Sequence, residues 1–155
     1  MNRKVALLIG SESDRETINY SIDYFKYFNI DCEIYVMSAH RNPKKVAEFA
    51  SNARNSGYSI LIGSAGMAAH LAGALKAHSS LPVIGIPLKG GVVDGLDSLL
   101  ATVQMPKGLP VATLAVGKSG AINAAILCAE ILSLSDSSIL EKLEYFRNNG
   151  FKISD

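Results

Sequence analysis

The sequence predicts a three-layer α/β/α sandwich, in which one doubly wound, five-stranded parallel sheet carries helices on both faces and the chain ends in a further helix. Three observations carry this expectation. Short apolar runs recur five times, each is followed by a segment with helical spacing, and the links between them are too short to part separate domains. Parallel neighbours need crossover connections, so strict alternation selects a parallel sheet. No internal repeat, low-complexity tract or linker interrupts the pattern, and residues 1–155 are read as one domain.

The first run, residues 4–9, is continuously apolar after Lys4 and ends at Gly10, as a strand buried on both faces would. Ile18, Ile22, Phe25 and Phe28 then recur on one helix face, and Asn29 closes that helix. Residues 32–37 form the second strand. Pro43 opens the next helix, because its missing N–H would have no intrahelical partner there. Val46, Phe49, Ala50 and Ala53 supply its apolar stripe and Gly57 stops it. Residues 59–62 are the third strand and 67–77 an Ala- and Leu-rich helix. Residues 82–86 are the fourth strand, followed by a glycine-rich stretch and a helix near 96–103. Residues 111–116 are the fifth strand, and helical patterns cover 121–134 and 137–148.

The charge is nearly balanced, 15 Lys and Arg against 14 Asp and Glu, which argues against a nucleic-acid partner because a phosphate-tracking surface leaves a basic excess. No window offers about 18 uninterrupted apolar residues, so no membrane span is expected. The N-terminus lacks the pattern of a signal peptide. Cys32 and Cys128 lie in apolar segments, far from any second Cys or His at metal-ligand spacing, and read as buried reduced thiols of a cytoplasmic protein. Charged residues are only 19% of the chain and apolar ones 48%. Burial in subunit contacts and a fully covered sheet both account for that balance.

In such sheets ligands bind beyond the carboxyl ends of the strands, where the strand order reverses. The polar and glycine-rich segments directly follow strands, as this rule requires. After strand one comes Gly10-Ser-Glu-Ser-Asp14, after strand two Ser38-Ala-His-Arg41, after strand three Ser64-Ala-Gly-Met-Ala-Ala-His70, and after strand four Lys89-Gly-Gly91. In the first, Ser11 and Ser13 offer hydroxyls beside a helix start, a natural phosphate site, whereas Asp14 would repel phosphate and suits ribose hydroxyls. The same residues are also what an N-cap needs. Neither a P-loop nor a dinucleotide fingerprint is present. In the second loop, Arg41 presents planar donors for an anion and His40 is suited to proton transfer; as a plain alternative, both are ordinary loop residues. Small residues in the third loop let backbone amides approach a ligand, with a helix N-terminus behind them. His78 reads as a complement to the end of its helix.

Four blocks in order then resemble the N5-carboxyaminoimidazole ribonucleotide mutase family: Gly-Ser-x-Ser-Asp, Ser-Ala-His-Arg, Ala-Gly-x-Ala-Ala-His-Leu, and Val103-Gln-Met-Pro-x-Gly-x-Pro-Val111. The resemblance covers nearly the whole chain. It implies a flavodoxin-like fold and a carboxylate shift from the exocyclic nitrogen, N5, to C4 of the imidazole in purine biosynthesis. It also implies no metal and no organic cofactor. By the same resemblance His40 handles the protons, and Ser11, Asp14 and Arg41 grip the nucleotide, with Ser13 and Ser38 in the same loops. Ala65, Gly66, His70 and Leu71 surround the migrating carboxylate. A homo-octamer with shared active sites, and a functional link to an ATP-dependent N5-carboxylating enzyme, are implied as well. Two positions depart from the family: Met67 stands where a second glycine is frequent, and Ala72 where proline is common. The segment 88–95 is variable, so no role is carried onto Lys89.

Rivals on the same scaffold are weaker. An aminoimidazole ribonucleotide carboxylase taking CO2 from solution resembles this chain less, because that branch has Lys at the position of Arg41 and lacks the block around His70. A carboxylase of nicotinate-type nucleotides carries an extra N-terminal region. A non-catalytic, flavodoxin-like binding module would want clustered acids or aromatic walls at these loops, and neither is present.

Overall fold

The computed structural model describes residues 3–153. The elements run β1 (Lys4–Ile9), α1 (Arg15–Asn19), α2 (Ile22–Tyr27), β2 (Asp31–Val36), α3 (Pro43–Asn52), β3 (Tyr58–Ala65), α4 (Leu71–His78), β4 (Val83–Pro87), α5 (Leu96–Val103), β5 (Ala112–Thr113), α6 (Lys118–Ser133) and α7 (Ser137–Asn148). Short 3-10 turns cover Glu12–Asp14 and Val92–Asp94. The five strands form one parallel sheet in the order β2-β1-β3-β4-β5.

Strand periodicity explains the layers, since successive side chains leave opposite faces. From β1, Val5, Leu7 and Ile9 enter one core with Ile18, Phe25 and Phe28 and with the alanine-rich face of α6, backed by Ile139, Leu143 and Phe146 of α7. Ala6 and Leu8 enter the other core, with Val46 and Ala50 of α3 and Leu71, Ala72 and Leu75 of α4. A strand buried on both faces has no polar alternation, which is why residues 5–9 are continuously apolar.

Several boundaries differ from the sequence expectation, four of them with a visible local setting. The helix after β1 is broken at Tyr20–Ser21, because the buried Ser21 donates both its hydroxyl (2.7 Å) and its N–H (2.9 Å) to the Ile18 carbonyl. Strand three extends to Ala65 rather than stopping at residue 62. Gly63 pairs with Gly85 inside the ladder, and a Cβ at Gly63 would lie 2.7 Å from the Ala72 backbone, so glycine serves here as a seat for α4. That helix starts at Leu71, four residues later than expected, after a turn in which Met67 takes φ +50°. The fifth strand pairs only over Ala112–Thr113, although the N–H of Leu114 still reaches the Gly85 carbonyl (3.0 Å).

Candidate active site

The strand order reverses between β1 and β3, and the loops that follow these strands meet there: the Gly10 N–H donates to the Ser64 carbonyl at 3.3 Å. A cleft of about 510 Å³ opens over this point, and every residue that the sequence singles out for the site lines it. His40, Ser11, Ser13, Asp14, Ser38, Arg41, Ala65, Gly66, His70 and Leu71 thus share one cavity. Lys89, Gly90 and Gly91 close its far side, together with Met67 and Ala68. His78, in the last turn of α4, is not part of the lining.

The loop after β1 is shaped by its own side chains. The Ser11 N–H donates to Asp14 Oδ2 at 3.0 Å, while Ser11 Oγ accepts the N–H of Ser13 at 3.4 Å and its hydroxyl at 3.0 Å. This reciprocal capping box holds the 3-10 turn and confirms the N-cap reading of Ser11 and Asp14. Capping does not exhaust them, because both side chains also face the cleft. Half-burial pushes the Asp14 carboxyl above the usual range, against the opposing pull of the Ser11 N–H.

After β2, Ser38 Oγ accepts the Arg41 N–H at 3.3 Å, and its carbonyl accepts the Asn42 N–H at 2.8 Å, so the chain turns before Pro43 starts α3. The turn leaves His40 and Arg41 exposed at the cleft wall. His40 Nε2 lies 2.8 Å from His70 Nδ1, with the rings nearly perpendicular at 77°. At that distance one proton lies between the two nitrogens, with one ring as donor and the other as acceptor. A residue of the second loop and one of the third, 30 positions apart in sequence, are therefore joined by one hydrogen bond. No spacing in the sequence announces this contact, because it depends on α4 being drawn in over Gly63.

The turn residues explain both departures at the third loop. Met67 is 65% exposed and left-handed, a conformation that glycine adopts without cost. Ala72 occupies the first turn of α4, where proline is tolerated because the N–H has no intrahelical acceptor.

The lining supplies two permanent cations, Arg41 and Lys89, one carboxylate, Asp14, and the histidine pair. It thus offers places for anionic groups, for hydroxyls and for a travelling proton. Among the described residues no three His, Cys, Asp or Glu side chains converge as a metal site.

Known proteins share both sequence and fold. A family model described as AIR carboxylase matches residues 4–152. Proteins named N5-carboxyaminoimidazole ribonucleotide mutase are similar over most of the chain. That of Vibrio parahaemolyticus is 48% identical over 94% of this chain and 90% of its own. That of Bacillus subtilis is 45% identical over 96% and 92%. A crystal structure of Treponema denticola PurE superposes with a TM-score of 0.85 at 25% identity, covering 95% of this chain and 90% of that one. Three of the four blocks, those after β1, β2 and β3, converge on one cleft, these matches agree with them, and the chain belongs to the AIR carboxylase family.

Proposed function

We propose that the protein is an N5-carboxyaminoimidazole ribonucleotide mutase, an isomerase of purine biosynthesis that moves a carboxylate from N5 to C4 of the imidazole. The observation that carries this reading is the convergence of Arg41, Asp14 and the hydrogen-bonded His40–His70 pair in one cleft. The names of relatives 43–48% identical to the chain support it.

Proton accounting matches one carrier. When the N5–carboxylate bond breaks, CO2 leaves and the nitrogen takes up a proton. When C4 attacks that CO2, a carbon–carbon bond forms and the C4 proton departs. One proton enters and one leaves, so a group that starts protonated ends protonated. His40 fills that role, and His70 holds its ring and shares the proton at 2.8 Å. Arg41 meets the phosphate with Ser11, Ser13 and Ser38 nearby, and Asp14 meets the ribose. Ala65, Gly66 and Leu71 bound the space in which CO2 is held, where excluding water keeps it from escaping. The mechanism as read uses no metal and no organic cofactor.

The test is His40→Asn, which keeps a polar side chain of similar reach and removes the titrating ring. Turnover should fall by roughly 10²–10⁴-fold, with nucleotide binding kept within a few fold. Unchanged turnover would remove His40 as the proton carrier.

We further propose one catalytic domain over residues 1–155, assembled as a homo-octamer with sites shared between subunits, and fed by an ATP-dependent N5-carboxylating enzyme. Leu96, Leu100 and Val103 project exposed from one side of α5, beside exposed Val92 and Val93, and this supports burial against further copies. A cytoplasmic location rests on the thiols. Burial pushes Cys32 up to about 12 and raises Cys128 as well, so both favour the inert reduced form. No helix among the described residues is long and apolar enough to cross a membrane.

A further inference from the structure

The loop after β4 is built with more care than a variable connection requires. Buried Ser98 donates its hydroxyl to the Leu88 carbonyl at 2.7 Å and fixes the backbone where the loop leaves the sheet. Asp94 Oδ1 accepts the Gly90 N–H at 3.1 Å, and Asp97 Oδ2 accepts the Val92 N–H at 2.9 Å. Val93 and Asp94 both take φ +49°, a left-handed pair that a β-branched residue adopts only under constraint. The product of this geometry is the placement of Lys89. Its aliphatic stem lies over Gly117, where an added Cβ would come within 3.3 Å of Lys89 Cγ, and the residue is part of the cleft lining.

The resting partner of that ammonium is Asp94, at 3.6 Å and exposed, beyond hydrogen-bond range. Asp94 is not part of the cleft lining, whereas Lys89 is, so the ion pair does not tie Lys89 to another residue of the cleft. Arg41 follows β2 and Lys89 follows β4, and β1 and β3 lie between them. Three strand spacings put the strand ends that carry them about 14 Å apart, on the order of a nucleotide monophosphate's length. Lys89 also stands beside the loop assigned to the migrating group: a Cβ on Gly66 would lie 3.6 Å from the Lys89 carbonyl.

Resting on the functional reading above, we infer that Lys89 is a specificity-determining residue for the carboxylate carried at the base end of the nucleotide, on N5 in the substrate and on C4 in the product. The substrate is anionic at both ends, and the cleft provides one permanent cation for each: Arg41 for the phosphate, Lys89 for the carboxylate. On binding, the ammonium leaves Asp94 for the substrate carboxylate, and it attracts that carboxylate without becoming part of the proton transfer.

The experiment measures binding of the carboxylated product nucleotide and of aminoimidazole ribonucleotide, which lacks the carboxylate, to the wild type, Lys89→Met and Lys89→Arg. Lys89→Met should weaken the carboxylated nucleotide about tenfold or more and leave the decarboxylated one within twofold. Lys89→Arg should restore the preference. Equal weakening of both nucleotides, or no change in either, would overturn the role of Lys89 while leaving the functional reading intact. A wild type that binds neither nucleotide would overturn the functional reading itself, and this inference with it.

Discussion

Met67 shows how a residue at the cleft can be at odds with its own backbone. Its left-handed φ of +50° costs an L-residue roughly 1–2 kcal/mol, and its exposed side chain gains little from burial in return. Glycine would remove that cost and add about 0.5–1 kcal/mol of unfolded-state entropy. Met67→Gly is therefore expected to stabilise the fold by about 0.5–1 kcal/mol, seen as a higher urea midpoint at unchanged slope. A lower midpoint would mean that Met67 makes contacts worth more than its strain. Ser11 and Asp14 show a different economy, since the hydrogen bonds that cap the turn also hold two residues of the cleft lining.

At the scale of elements, the helices and strands were legible where periodicity was long and unbroken. The helix at 96–103 and the final helix at 137–148 match their expected bounds. Misplaced boundaries have local causes that hydropathy does not carry. Glycine normally weakens a strand, so Gly63 read as an end, whereas Gly63 and Gly85 pair across β3 and β4 and let the first turn of α4 approach the sheet. Ala-Ala in the third loop read as helix, whereas the turn at Met67 delays α4 to Leu71 and puts His70 just before it. Both misreadings hid the same contact. The close seat of α4 on β3 brings His70 to within 2.8 Å of His40, the contact on which the proposed proton carrier depends.

At the scale of the molecule, the cleft was legible because a parallel sheet leaves little choice. Residues that follow β1, β2 and β3 must emerge on one edge, and the four polar loops were already in that order. The anchoring of Lys89 was not, since it depends on Ser98 and Gly117, neither of which is near it in the pattern. The low charge fraction left subunit burial and sheet burial equally open, and the exposed apolar side of α5 now favours the former. A homo-octamer of 16.5 kDa chains is the expected solution mass at working concentration, read by light scattering. A monomer there would remove the shared-site arrangement.

Whether the carboxylate is moved within the closed site or taken from solution decides the central claim. The substrate's N5-carboxylate is to be labelled with carbon-13 and converted in a large excess of unlabelled bicarbonate, with the product read by mass spectrometry. Transfer inside the cleft predicts that most product molecules keep the label. Product carrying mainly unlabelled carboxylate, formed at the rate seen with aminoimidazole ribonucleotide and bicarbonate, would contradict the mutase and make the protein a carboxylase.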